Sequence, residues 1–304
     1  MKELAEFRLL EEKAVRYLAP QVGVCLGGLV RKVILPLSSP IVAQIIDIHH
    51  KLLQDGDRFY IFSHIHRKYT AKEISQATAV MVVVDRVFEP TGEQCGTIYN
   101  DDNACSYCGA GSQQITDLVL DARSLSSQRN VAIAKTISGE IVVEQHFREL
   151  FEENRFTGAD FQVIRGHRDP QLAIPDWYQL RVTSRQLDIV SPTRVGQTPF
   201  DDEVLAGTAE DEALNRLDNK GSWCDLHGQY RCPLGHTIGL NLFSELTASL
   251  ADGPPWDIVM TRQLIGVRRG FLRPQPLMVI SNRLLRQIRK AALNGMTFEV
   301  VHLV

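Results

Sequence analysis

The residues best suited to chemistry in this chain are its cysteines. Cys105-Ser106-Tyr107-Cys108-Gly109 places two thiols on one side of a tight turn, and the glycine lets the backbone curl so that amides face the sulfurs. A structural zinc site of this kind closes with four donors, so a second pair is required. Three pairings are open further along the chain: Cys224 with His227, Cys232 with His236, and Cys224 with Cys232. Cys95, ten residues ahead of Cys105, is a possible local ligand. A lone Cys-x-x-Cys can also be a redox motif, but that normally follows a strand and opens a helix. The flanks here are polar and turn-like, which favours a closed, structural Zn2+ site over a redox or catalytic one.

Other chemical groupings are weaker. His64 and His66 fall on one face of an expected strand, a spacing that suits a metal or acid–base pair and hence a metalloenzyme. No carboxylate partner is evident, so a polar strand end is preferred. His49-His50 would close a helix, where cations suit the dipole. Gly23 and Gly28 have phosphate-loop spacing, but Leu29-Val30 stand where that loop needs Lys-Ser/Thr. No local signature of a Ser-His-Asp or Cys-His catalyst is found, and the chain is read as non-enzymatic. Arg262, Arg268, Arg269, Arg273, Arg283, Arg286, Arg289 and Lys290 form a basic C-terminal cluster, suited to RNA, DNA or an acidic partner.

The elements that must position these residues follow from periodicity. Residues 2–18 read as an amphipathic helix ended by Pro20. Residues 22–37 read as a strand pair bent at Gly27-Gly28, 41–54 as a helix, 58–66 and 80–87 as strands, and 70–77 as a short helix capped by Thr70. Strands at 118–120, 140–143 and 161–164 and a helix at 145–153 follow. Residues 201–220 are acidic and read as a solvated linker or surface helix.

An internal repeat ties these pieces together. Residues 142–164 lie on 279–301 at a constant offset of 137, with Val142, Gly158, Phe161 and Val163 identical to Val279, Gly295, Phe298 and Val300. Apolar positions coincide as well, and both stretches read strand–helix–Gly–strand. Upstream, Cys105-x-x-Cys108-Gly109 aligns with Cys224-x-x-His227-Gly228 at offset 119, and Leu120-Asp121 with Leu240-Asn241 at offset 120. The expected fold is therefore α+β (or α/β). Two related strand–helix–strand modules are joined by a zinc-ribbon-like site, behind an N-terminal α/β segment. The expected units are 1–168, with the first knuckle, and 169–304, with the second Cys/His knuckle.

The stretch from Cys105 through Leu118-Val-Leu-Asp121-Ala-Arg-Ser124-Leu125, Ile141-Val-Val-Glu-Gln-His-Phe147 and Phe156-Thr-Gly158-Ala-Asp-Phe161 resembles the second half of the double-CXXCG motif proteins. The match is good over 105–164 and loose over 170–304. His227 stands where that pattern has cysteine, and the second knuckle follows the first recognisable one rather than preceding it. The resemblance implies a zinc-stapled scaffold. It also implies the role of a bacterial immunity protein that binds and neutralises a cognate toxin of a polymorphic-toxin system.

Composition is consistent with this. The 304 residues are 44% hydrophobic and 23% charged, and 33 Lys+Arg against 36 Asp+Glu leave a net charge of −3. That is ordinary globular composition, with length enough for two compact units. The near-neutral balance favours a protein partner over nucleic acid, which stays the alternative as a zinc-ribbon regulatory protein. No apolar run is long enough to span a membrane, and six cysteines without an export signal point to reduced thiols in a cytoplasmic protein.

Overall fold

The computed structural model describes residues 1–106, 108–128, 131–196, 200, 234, 236, 241–250, 256–266 and 270–304. The chain is α+β and mostly strand. None of its described helices is long and apolar enough to cross a membrane.

The first unit runs β1 (Lys2–Leu10), α1 (Glu11–Tyr17), β2 (Val24–Leu26), β3 (Val30–Pro36), α2 (Pro40–Gln54) and β4 (Tyr60–Lys68). Its antiparallel sheet has the order β2-β3-β1-β4, the arrangement of a split βαβ (ferredoxin-like) unit. The helix expected over 2–18 is thus a strand followed by a short helix. Leu4, Phe7 and Leu10 mimic helical spacing. However, Ala5, Phe7 and Leu9 are the fully buried residues, and they alternate with Glu6 and Arg8. Gly27 and Gly28 make the expected bend with positive φ. Ser39 caps α2, whose Val42, Ile45 and His49 face the sheet. His49 is not a solvated helix end: it is buried, stacks on Tyr60 at 3.6 Å, and its Nδ1 accepts the Phe59 amide at 3.2 Å.

The remainder is a duplication. The first copy contains β5 (Ala79–Val84), β6 (Val87–Phe88), β7 (Tyr99–Asn100), β8 (Gln113–Gln114) and β9 (Leu118–Leu120). It continues with β10 (Ile133–Thr136), β11 (Ile141–Glu144), the helix Gln145–Glu153 and β12 (Ala159–Gly166). The second copy contains β13 (Ala173–Val182), β14 (Arg185–Ile189), β15 (Val195–Gly196), β16 (Asn241–Leu242) and β17 (Leu246–Leu250). It ends with β18 (Ile258–Ile265), β19 (Gln275–Ser281), the helix Asn282–Lys290 and β20 (Met296–Leu303). Counting the short helices Ala71–Gln76 (α3), Gly92–Cys95 (α4) and Ala122–Ser126 (α5), the two long helices of the copies are α6 and α7.

The ladders show the copies to be interleaved. One sheet has the order β6-β10-β11-β13-β12-β9; the other is a closed barrel, β14-β17-β20-β5-β19-β18. The positions correspond one for one, except that β5 and β13 have changed places. β13 opens the second copy but lies between β11 and β12 of the first, whereas β5 opens the first copy and lies between β19 and β20 of the second. The register is the same in both slots: Val143 faces Tyr178, and Ile280 faces Val80. The division expected at residue 168 is therefore crossed twice, and each half completes the other's sheet.

The shared core lies between the copies. Val143, Phe147, Phe151 and Phe156 of the first meet Ile280, Leu284, Ile288 and Leu293 of the second, the pairs of the 137-residue offset. The offset does not hold upstream as expected. Ile164 pairs with Leu118 and Val301 with Leu246, so β9 corresponds to β17 at offset 128, and Leu120 matches Ala248 rather than Leu240. The first unit joins the barrel through Arg67, whose Nε donates to Glu299 at 2.7 Å, and Tyr69, whose hydroxyl donates to Glu245 at 2.9 Å.

The two repeat glycines lie where the copies touch. Gly158 (φ +100°) and Gly295 (φ +91°) end their helices in the left-handed region. A Cβ at Gly158 would fall on the carbonyl oxygen of Ile258, and one at Gly295 on that of Ile133, reciprocal positions in β18 and β10. Gly158→Ala and Gly295→Ala should each cost about 2–4 kcal/mol in urea denaturation, from left-handed strain plus a backbone clash. Gly270→Ala, with φ +60° and open space around it, should cost only about 1 kcal/mol.

A buried carboxylate spans the same junction. Asp257 accepts the Thr157 amide at 3.0 Å, the Ser281 hydroxyl at 3.0 Å and the Arg283 Nε at 2.9 Å. Burial raises its pKa, but the Arg283, Ser281 and Thr157 hydrogen bonds outweigh burial and hold it below the usual aspartate value. Its stabilisation is therefore present above the unfolded value near 3.8 and lost as pH falls through the lower folded one. Asp257→Asn should destabilise the protein by about 2 kcal/mol at neutral pH. It should also flatten the loss of stability below that value, as read by urea denaturation across the acid range.

Candidate metal centre

The knuckle at Cys105 sits between β7 and β8, which pair Tyr99 with Gln114. The Cys105 amide donates to Ala110 O at 2.7 Å, and the Gly109 amide to Cys105 O at 2.8 Å. Gly109 takes φ +76°, as the curl requires. Cys108 is buried and Cys105 half-buried. His236, exposed, comes from the second copy, and Leu264 of β18 donates its amide to His236 O at 3.1 Å. Leu264 also packs on Cys108 and Ala110.

The three donors converge. Sγ of Cys105, Sγ of Cys108 and a ring nitrogen of His236 all lie within 4.8 Å of one another, with Cys108 Sγ 3.9 Å from His236 Nδ1. Tetrahedral zinc with Zn–S near 2.3 Å and Zn–N near 2.0 Å asks for donor separations of about 3.6–3.8 Å. The Cys108–His236 pair is already close to that spacing, and the cluster as a whole needs no more than about 1 Å of closure. Two thiolates and one imidazole are a soft donor set that suits zinc. The ion would supply a fixed tetrahedral corner binding sequence-distant segments.

Of the six residues expected at the metal, Cys105, Cys108 and His236 are thus brought together. Cys224, His227 and Cys232 lie outside the described residues, within the sequence that joins β15 to β16. That pair is the second copy's counterpart of β7 and β8, since both are short antiparallel pairs just ahead of β9 or β17. Cys95 is not part of the cluster. It is buried at the end of α4, where burial pushes its thiol up, and it lines a cavity of about 320 Å³ beside Gly96 and Val119. At that cavity Asp117 and Arg165 pair with each other at 2.8 Å.

Sequence reasoning missed the clamp around the knuckle. Arg273, on the second copy, stacks 4.0 Å from the Tyr99 ring. It donates to Glu93 at 2.7 Å and to Asp101 at 3.2 Å, and it also bonds Ser112. Tyr99 donates to Glu140 at 2.7 Å, and burial raises both of their pKa values. These residues share no spacing in the sequence, so only the tertiary pairing exposes them.

The basic C-terminal cluster is not one face. Arg273 is held in this clamp, Arg283 is spent on Asp257, and Arg262 pairs with Asp188 at 2.9 Å. Arg286, Arg289 and Lys290 are exposed on α7, and Arg268 and Arg269 lie outside the described residues. The carboxylate missing beside His66 is Glu6, 2.8 Å from His66 Nε2. Glu6 also takes Lys32 at 3.2 Å and Arg8 at 3.6 Å, so it is a cation-crowded acid rather than a free metal ligand. Burial, with His66 and Arg67 nearby, lowers the His64 pKa to about 4.

Titration with Zn2+ should load one ion per chain. Cys105→Ser or Cys108→Ser should weaken that binding by about a hundred-fold or more, and His236→Ala by a smaller factor, read with a competing chromophoric chelator. Affinity should fall with acidification, because thiols and imidazole must lose protons to bind. Known protein families and curated proteins contain no match to this chain.

Proposed function

We propose that this chain is a binding protein without chemistry of its own, stapled by one structural zinc, that acts as an immunity protein by occluding a cognate toxin. The observation that carries the structural part is the convergence of Cys105, Cys108 and His236. With a fourth protein donor such a site is closed and leaves no water to activate. A fourth donor would come from Cys224, His227 or Cys232. The toxin-binding role is supported by the resemblance of residues 105–164 to the double-CXXCG proteins. The near-neutral net charge also favours a protein partner over a long nucleic acid.

The test is co-expression with the reading frame next to this gene in its native host. Expression of that frame alone should arrest growth, and co-expression of this chain should restore it through a complex that survives size-exclusion chromatography. Cys105→Ser should lose both zinc and rescue. Normal growth with the neighbouring frame alone, or arrest unrelieved by this chain, would sink the immunity reading while leaving the zinc staple intact.

A further inference from the structure

Among the described residues, the first unit has one covered sheet face and one open one. Both α1 and α2 pack on the side of Ala5, Phe7 and Leu9. The antiparallel register assembles the opposite side: Lys2 across from Lys68, Leu4 from His66, Glu6 from His64 and Ile34, and Arg8 from Phe62 and Lys32. Four groups there are cationic, Lys2, Arg8, Lys32 and Lys68, beside the imidazoles of His64 and His66. The one carboxylate, Glu6, is buried beneath them. Four cations less Glu6 leave the face positive by about three charges, on a chain whose net charge is −3.

The same face carries rings in a row. Phe62, His64 and His66 alternate along β4, one ring per two residues, or about 6.7 Å. Phe62 is 41% exposed and stacks with His64 at 6.2 Å; His64 meets His66 edge-on at 4.7 Å. Arg8 lies 4.9 Å above the Phe62 ring. Aromatic planes in a strip flanked by cations bind unpaired bases by stacking and the phosphates by charge. A duplex cannot offer its base planes to the strip. A second copy laid on this face would oppose Lys2, Arg8, Lys32 and Lys68 with cations of its own.

We propose that the open face of the N-terminal sheet binds single-stranded nucleic acid, with bases stacked along Phe62, His64 and His66 and phosphates on Lys2, Arg8, Lys32 and Lys68. This surface shares no residue with the metal knuckle.

The test is fluorescence anisotropy of the whole chain with labelled oligouridylate and oligothymidylate of about twelve nucleotides. Binding should appear at about 50 mM salt and weaken with a log–log slope near −3, as expected for about four neutralised phosphates. Phe62→Ala should weaken it about ten-fold, and Lys2→Glu with Lys68→Glu by at least as much. All these positions are exposed, so circular dichroism and thermal melts should match the parent. Arg286→Glu with Arg289→Glu on α7 should leave binding unchanged. No binding at low salt would overturn the proposal. So would binding lost with the α7 pair instead, or an affinity indifferent to Phe62→Ala and matched by polyglutamate, which would make the face a docking site for acidic proteins.

Discussion

The structure depends on a slot one strand wide. In each copy a strand, a helix and a second strand form a unit whose two strands are parallel and not bonded to each other. They stand two strand spacings apart, about 9.6 Å. Left empty, the slot would strand two rows of backbone amides and carbonyls inside a core, at a cost of several kcal/mol per few groups. The strand that fills it runs antiparallel to both neighbours, and neither copy supplies its own. β13 fills the first slot and β5 the second. The exchange makes the halves mutually necessary. It also explains the reciprocal glycines, because the helix ends of each copy must meet the backbone of the other without a side chain between.

Much of this was legible where the pattern is local. The strand–helix–Gly–strand repeat showed because its apolar positions face one shared core, so both copies are under the same demand. α2, α6 and the Thr70 cap could be read from spacing and cap residues alone. The exchange could not. β5 reads Ala-Val-Met-Val-Val-Val, and its counterpart in β13 reads Trp-Tyr-Gln-Leu-Arg-Val. They share one identity because only alternate residues meet the common core. The others face two different interiors, in which Met81 of one corresponds to Gln179 of the other, bonded to Gln114 at 2.7 Å. β1 misled for a related reason, since a nine-residue alternation also contains an i, i+3 series.

The metal knuckle is a consequence of the duplication's weakest part. β7 and β8 contribute two residues each, and among the described residues the apolar group beneath them is Cys108, Ala110 and Leu264, with Cys105 beside it. So small a cluster cannot hold a loop by burial, and a small core generally needs a staple. Two features cross there from the first copy to the second. Arg273 clamps the loop from outside by charge and stacking, and Cys105, Cys108 and His236 come together in a group that could hold a metal ion. Cys105 and Cys108 were legible because knuckle spacing is local. His236 was one of several open choices, because 128 residues separate it from Cys108.

Charge is distributed by the same logic of local use. Of the eight basic residues gathered near the C-terminus in sequence, the six that are described are dispersed by folding, with Arg283 on Asp257, Arg262 on Asp188 and Arg273 in its clamp. A sequence cluster of cations therefore predicts a surface poorly when several of them have a carboxylate to anchor. The N-terminal sheet shows the converse. Its cations are scattered over 67 residues of sequence, from Lys2 to Lys68, yet strand pairing sets them side by side around one shared carboxylate. Glu6 contacts Lys32, His66 and Arg8 together but carries a single negative charge among them, and Lys2 and Lys68 stand directly opposite each other. An unscreened like-charge pair costs stability in a sheet. Charges held against that cost, on the one face the helices leave open, are better explained by what the face meets than by what holds the sheet together.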